Sequence, residues 1–397
     1  MTAETDEEKP STDDEPTTTS EQSNNEGSFV KSKRLKSLDA LRGFDMLWIV
    51  GGHTLAGAMA KFTDWEWVKW FSGQLHHPGW SGFTLYDLIF PLFLFLAGVA
   101  MPYSLGRQVE LGKSKWQLLR KVAVRAALLV FLGAVYNGLF AWKPLADTRL
   151  CSVLGYIGLA YFFAALIYLF SNTRHQIIWS LGILFGYWAA LMWIPVPGHG
   201  AGVLTPEDCI TGFIDRSLLP WKFNIAGQLY DSQGLFVTIP AIVTALLGAL
   251  TGQFIRHTKL NPFAIGGILI AAGIVCYGLA KLWGTQLFIS KELWNPTFVL
   301  HCAGWSLMLL GIFYLIIDAL GFWRWSFFLI VIGMNSITIY LAVRMVNFQH
   351  TSNFLFGGLI SKFGSPSLQP VLASIAYILT WWLVLLFMYR KKIFLRV

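Results

Sequence analysis

The chain has 397 residues, 55% hydrophobic and only 13% charged, against roughly 25% charged in soluble domains. That balance excludes an ordinary water-soluble globular protein. Four cysteines, Cys151, Cys209, Cys276 and Cys302, show neither CxxC nor metal spacing, so neither a disulfide framework nor a metal centre is expected.

The first 28 residues hold nine acidic residues and one basic one, Lys9, and almost no apolar residues. Such a segment buries too little surface to offset its ordering entropy. Residues 1–30 are therefore predicted as a disordered acidic tail. They contain no apolar run of the signal-peptide kind. Residues 31–397 are predicted as one all-α, multi-span membrane domain. Ten apolar segments approach the roughly 20 residues needed to span a bilayer: 41–60, 83–105, 119–141, 151–171, 176–195, 234–254, 262–282, 296–317, 323–344 and 368–389. Asn335, Ser336 and Arg344 interrupt the ninth.

With the N-terminus in the cytoplasm, alternation places 19 Lys and Arg residues on the cytoplasmic side and ten outside. This is the positive-inside pattern for an even number of spans with both termini cytoplasmic. The net charge of +8 thus reads as topology, and no nucleic-acid partner is expected. The external side has the long loops, near 61–82, 196–233 and 345–367, and carries most of the acidic residues beyond the tail, Asp64, Glu66, Asp147, Glu207, Asp208, Asp215, Asp231 and Glu292, which suits a cationic or amine-bearing ligand.

Ionisable groups at membrane depth are functional candidates by default. Ser37-Leu38-Asp39-Ala40-Leu41-Arg42-Gly43 reads either as a helix start with a positive-inside anchor or as an inward-facing Arg42 that holds a phosphate. His53 lies eleven residues on, about 16 Å further along the helix, among Gly51, Gly52 and Gly57. It reads as a packed histidine or as a polar lining group. His76-His77-Pro78-Gly79-Trp80 is a tight turn with an interfacial anchor at Trp80. Asp87, just inside the second span, needs a cationic or donor partner, and a His–Asp pair fixes an imidazole tautomer. His76 competes with His77 for that place. Arg107, Lys113, Lys115, Arg120, Lys121 and Arg125 form a cytoplasmic cluster that suits anionic lipid or a polyphosphate ligand. Asn137, Arg149, Asn335 and Tyr230-Asp231 are further polar points within or beside spans, and each also suits a structural role.

Taken in order, Leu38-Asp39 with Leu41-Arg42-Gly43, His77-Pro78-Gly79-Trp80-Ser81-Gly82, Leu85-Tyr86-Asp87, Arg149, Pro195-Val196-Pro197-Gly198, Tyr230-Asp231, Gly333-Met334-Asn335-Ser336 and Tyr389-Arg390-Lys391-Lys392 resemble the heparan-α-glucosaminide N-acetyltransferase family. The resemblance runs from about Arg34 to the last residue. The opening motif is also similar to the wider group of membrane acyltransferases that modify surface polysaccharides. The family acetylates a terminal glucosamine amine across a membrane, using cytosolic acetyl-CoA. The resemblance implies His77 as the catalytic histidine, with Asp87 in the same site. His53 occupies the place of an asparagine that serves the reaction in the animal enzymes.

The expected co-substrate is acetyl-CoA, with its nucleotide at the basic cytoplasmic mouth beside Arg42, Arg120, Lys121 and Arg125. The pantetheine arm, roughly 15–20 Å extended, matches about a dozen helix residues. The acceptor, an amino sugar or glycan, is expected beside Trp80, Arg149, Asp231 and Asn335. His77 would act as general base or as transient acetyl carrier. A bacterial inner membrane is the expected location, and a homodimer is left open. The competing readings are O-acetylation of an envelope glycan and, from another class, small-molecule transport. Against transport, the chain shows no clear internal repeat.

Overall fold

The structure is a computed structural model that describes residues 35–144, 147–219, 221, 229–363 and 365–394. The predicted acidic tail lies outside the described residues. The described chain is helical, without a β-sheet among the described residues. In chain order the helices are α1 (Lys36–Leu47), α2 (His53–Phe62), α3 (Glu66–Gly73), α4 (Leu85–Val99), α5 (Arg107–Glu110), α6 (Lys115–Tyr136), α7 (Val153–Phe170) and α8 (Thr173–Trp193). They continue as α9 (Ile210–Leu218), α10 (Leu235–His257), α11 (Pro262–Trp283), α12 (Pro296–Tyr314), α13 (Phe327–Met334), α14 (Ser336–Met345), α15 (Phe348–Phe363) and α16 (Gln369–Arg390).

Helix starts follow local chemistry. Ser152, Asn172, Asn261 and Asn295 each accept a backbone N–H with the side chain at the head of α7, α8, α11 and α12. Pro262 and Pro296 occupy first-turn positions where the missing N–H costs nothing.

Among the described residues, seven helical stretches are long and apolar enough to cross a membrane. They coincide with the second, fourth to eighth and tenth predicted segments. The ninth is a broken pair, with α13 and α14 bent by 62° at Asn335. The first segment is divided by a π-helical turn at Trp48–Gly52, and its α1 half carries Asp39, Arg42 and Asp45. The third, α6, is 22 residues long but carries Lys115, Arg120, Lys121 and Arg125. Charge and a break lower the apolarity of the segments that carry candidate chemistry.

Burial separates the helices. The apolar window of α4 is 72% buried, whereas those of α8 and α11 are 28% buried. α4 and α10 therefore form the centre, and α8 and α11 present apolar side chains outward, as lipid contact requires. Two contacts set the close approaches. Gly98 of α4 lies against the carbonyl of Ala245, and Gly248 of α10 lies against that of Phe95. Gly43 of α1 meets the Leu329 carbonyl, and Gly333 of α13 meets that of Asp39. Any Cβ at these positions would collide with backbone.

The helix ends sort into two surfaces. At one end, Gly82 N–H bonds the Ile289 carbonyl at 2.8 Å, and Trp80 Nε1 donates to the Leu204 carbonyl at 2.7 Å. At the other, Ser37 N–H donates to Asp318 at 3.2 Å, and Arg256 donates to the Pro102 carbonyl at 2.7 Å and pairs with Glu110.

Gly43→Ala should lower the thermal unfolding midpoint, because overpacking costs about 1–3 kcal/mol. Gly57→Ala, where a Cβ meets nothing within 4 Å, should leave it level or raise it. Equal midpoints for the two variants would contradict the α1–α13 packing.

Candidate active site

The site lies where the loop after α3 enters α4. Thr84 precedes the helix, and its N–H donates to Asp87 Oδ2 at 3.3 Å. Its hydroxyl donates to the His76 carbonyl at 2.7 Å. This first-turn bonding orients the Asp87 carboxylate. Asp87 Oδ1 then lies 2.6 Å from His77 Nδ1. A carboxylate only accepts, so Nδ1 carries a proton, and in the neutral imidazole Nε2 is the nitrogen that accepts. The Asp87 side chain is 1% exposed and that of His77 51%. The carboxylate is fixed in the protein and the imidazole faces outward.

A second cation completes the pair. Lys291 Nζ lies 3.3 Å from Asp87 Oδ1, with its side chain 15% exposed. It also lies 3.1 Å from Nδ1 and 3.3 Å from Nε2 of His77, and of the two nitrogens only Nε2 can accept from the ammonium. A buried carboxylate stripped of a partner costs about 3–5 kcal/mol, so both contacts matter.

The loop that carries Lys291 is tightly determined. Trp294 adopts a left-handed backbone (φ 44°), which costs on the order of 1–3 kcal/mol for a residue with a Cβ. Its indole is fully buried, with ring centroids 5.0–5.1 Å from Phe90, Tyr156 and Phe298. Asn295 Oδ1 accepts from Phe298 N–H and from the Thr297 hydroxyl. Ser290 Oγ donates to the Trp80 carbonyl at 2.7 Å, which ties the Lys291 loop to the His77 loop.

His53 joins the cluster through Tyr86, whose ring centroid is 4.9 Å from that of His77 and 6.0 Å from that of His53. His53 Nδ1 donates to the Trp48 carbonyl at 3.1 Å. His76 turns the other way, its Nδ1 bonding the Ser72 carbonyl at 2.9 Å. Arg149 grips Asp231 with two bonds, 3.1 and 2.8 Å, and also contacts Gln233. Trp80 packs edge-on against Tyr230 at 4.8 Å. Glu292 bonds Ser232 and lies near Lys291, His77 and Asp87. Burial pushes its carboxyl up, and Lys291 and His77 act against that rise. The Asn335 amide is buried at the α13–α14 break and makes no hydrogen bond among the described residues.

The basic candidates divide. Arg42 donates to the Leu96 carbonyl at 3.1 Å. Arg42 and Arg125 both act electrostatically on Tyr161, and the Arg125 guanidinium is 5.8 Å from its ring centre. Arg120 and Lys121 instead line a separate exposed groove with Gln117 and Val124.

Lys291 and Glu292 are not among the site residues that sequence reasoning singles out. Two signals pointed to them. Asp87 requires a cation, and Lys291-Glu292 sits on the His77 side, directly before the Asn295-Pro296 helix start.

Residues 34–193 match a family described as a domain of unknown function (DUF5009). The chain is also similar to heparan-alpha-glucosaminide N-acetyltransferase of Homo sapiens, 27% identical over 416 aligned residues, and of Mus musculus, 26% identical over 420. Each match covers 92% of this chain, and 60% and 61% of the respective relative. The chain thus spans about three-fifths of the length of these curated relatives, and the resemblance read from the motifs extends across nearly all of it.

One neighbouring acid gives a pH signature. Asp215 of α9 is buried, and its Oδ1 accepts the Leu235 N–H at 3.1 Å at the head of α10. Burial pushes its carboxyl up to about 7, against that hydrogen bond. The unfolded value is about 3.9, so the folded protein holds the proton more tightly. The stability this contributes is complete below the unfolded value and is lost as pH rises through about 7. The melting temperature of the wild type relative to Asp215→Asn should therefore fall between pH 4 and pH 7. A constant difference across that range would contradict the assignment.

Proposed function

We propose that this protein is an integral membrane acetyltransferase that moves acetyl from cytoplasmic acetyl-CoA to the amine of an amino sugar on the far side of the membrane. The observation that carries the reading is the outward-facing imidazole held between a buried carboxylate and a lysine, Asp87–His77–Lys291. The similarity to N-acetyltransferases over 92% of the chain supports the reaction class.

In this reading the acceptor nitrogen attacks the thioester carbonyl as His77 Nε2 takes its proton. The C–N bond forms, the tetrahedral oxyanion collapses, and the C–S bond breaks. The departing CoA thiolate receives the proton back from His77. Asp87 keeps Nδ1 protonated and stabilises the transient imidazolium. Lys291, 3.3 Å from Nε2, stands where the oxyanion develops and supplies the positive charge it needs. Glu292, Asp231 and Arg149 surround the acceptor, and an amine that arrives protonated releases that proton to solvent before the free amine attacks. Arg42 and Arg125 hold the phosphates of the donor at the opposite end.

Ten spans with both termini cytoplasmic fit this division of labour. Seven helices qualify by length and apolarity, the bent α13–α14 pair gives an eighth, and the charged α1–α2 and α6 segments supply the ninth and tenth. The sorting of basic residues supports His77 on the outer side, and a bacterial inner membrane is the location that suits it.

The test is CoA release by purified protein given acetyl-CoA and glucosamine. His77→Ala should abolish acceptor-dependent release in a protein that still folds, with a lowered melting temperature because Asp87 loses one of its two partners. Lys291→Met should reduce the turnover rate by about 10²-fold, the scale of a lost oxyanion donor. Release from His77→Ala at the wild-type rate would refute the site. Release with hydroxyl acceptors but not with glucosamine would refute the N-acetylation.

A further inference from the structure

A cavity of about 950 Å³ opens beside α4, bounded by α1, α3, α11, α12 and the loop that follows His77. It is separate from the site above. Leu85, Leu88, Ile89 and Leu92 line it from one face of α4, while Asp87 leaves the helix on another. His77, Lys291 and Glu292 are not among its walls. Its size lies in the range of small-molecule sites.

The wall is mainly apolar and rich in aromatic residues, including Phe44, Trp48, Phe71, Tyr277 and Trp305. Besides Gln74, Ser81 and Lys281 it holds two deeply buried polar side chains. Asp45 of α1 is 1% exposed, and neither carboxyl oxygen has a hydrogen-bond partner among the described residues. His301 of α12 is 3% exposed, and its Nδ1 is likewise unpartnered, although Phe83 and Tyr277 pack on the ring at 4.3 and 4.9 Å. Both residues line the cavity. Unpaired buried polar groups are costly, and two facing one cavity call for an occupant that bonds them.

The chemistry of the walls selects that occupant. A lipid tail would fill the volume and leave both groups unpaired. An ammonium supplies N–H donors and a charge opposite to that of the carboxylate, and aromatic faces attract the same cation. The one basic residue of the lining besides His301 is Lys281. It is exposed at the rim, with its ammonium 5.5 Å above the Tyr277 ring, where solvent screens it. His301 stands eight residues, about 12 Å, from Leu309 along α12, so the lining extends well into the bundle.

We infer that this cavity is a second ligand site, selective for a lipophilic organic amine whose ammonium pairs with Asp45. The site is independent of acetyl transfer and of the His77 cluster.

Three isosteric probes test it: 1-aminoadamantane, 1-adamantanol and 1-adamantanecarboxylate, titrated into the purified full chain with intrinsic tryptophan fluorescence as readout. The amine should bind at least about tenfold more tightly than the alcohol, which corresponds to about 1.4 kcal/mol, and the carboxylate should bind most weakly. Asp45→Asn should erase the preference for the amine. Leu309→Trp, which fills the cavity, should abolish binding of all three, and His77→Ala should change nothing. Because no acetyl-CoA is present, failure here is distinct from failure of the proposed reaction. Equal affinity for amine and alcohol, tightest binding of the carboxylate, no saturable binding, or an amine preference that survives Asp45→Asn would each overturn the assignment.

Discussion

A carboxylate buried at the head of a membrane helix is the constraint on which the site depends. Asp87 is almost wholly out of solvent, so it must be paired, and its two partners come from opposite directions in the chain. His77 arrives from the turn before α4 and Lys291 from the loop before α12. The rest of the region holds those partners in place. The Thr84 and Ser290 hydrogen bonds fix one loop on the other. Trp294, in its left-handed conformation within an aromatic nest, fixes the turn that presents Lys291. What emerges is an imidazole with one nitrogen committed to a carboxylate and the other turned outward beside a cation.

The helices around it share a division between centre and periphery. The close α4–α10 contact is made by glycines against backbone, and it keeps the Asp87 helix at the middle of the bundle. α8 and α11 meet the surroundings with apolar side chains. Two of the predicted segments, α1 and α6, fall short of the apolarity of a simple span, because Asp39, Arg42, Asp45, Arg120, Lys121 and Arg125 interrupt them. α4 keeps that apolarity because Asp87, its one acid, sits in the first turn.

Much of this was legible in the sequence. The apolar runs located the helices to within a few residues, and the ten-residue separation of His77 from Asp87, across a Pro-Gly turn and a helix start, was short enough to pair them. The bidentate grip of Arg149 on Asp231 joins two residues noted separately. Lys291 was legible only indirectly, through the cation that Asp87 requires, because a contact across 204 positions between Asp87 and Lys291 leaves no local pattern. The interruption of the ninth segment at Asn335 was legible as polar residues in an apolar run, but the 62° bend there and the π-helical turn at Trp48–Gly52 are not features that apolar periodicity records. Arg120 and Lys121 were grouped with Arg125 by proximity in sequence; in the structure they line an exposed groove with Gln117 and Val124, whereas the Arg125 guanidinium turns to the Tyr161 ring. The aromatic cavity around Asp45 gave no signal beyond an isolated acid in an apolar run.

The central claim is that Asp87 sets the protonation of His77, and acceptor-dependent CoA release by Asp87→Asn tests it most directly. An asparagine keeps the shape but offers an amide in place of the charge. It no longer stabilises an imidazolium, and it permits the tautomer with the proton on Nε2. The account predicts a fall in turnover of about 10²-fold or more, on the scale of general-base catalysis, in a protein that still folds and binds acetyl-CoA. Turnover within twofold of wild type would contradict it.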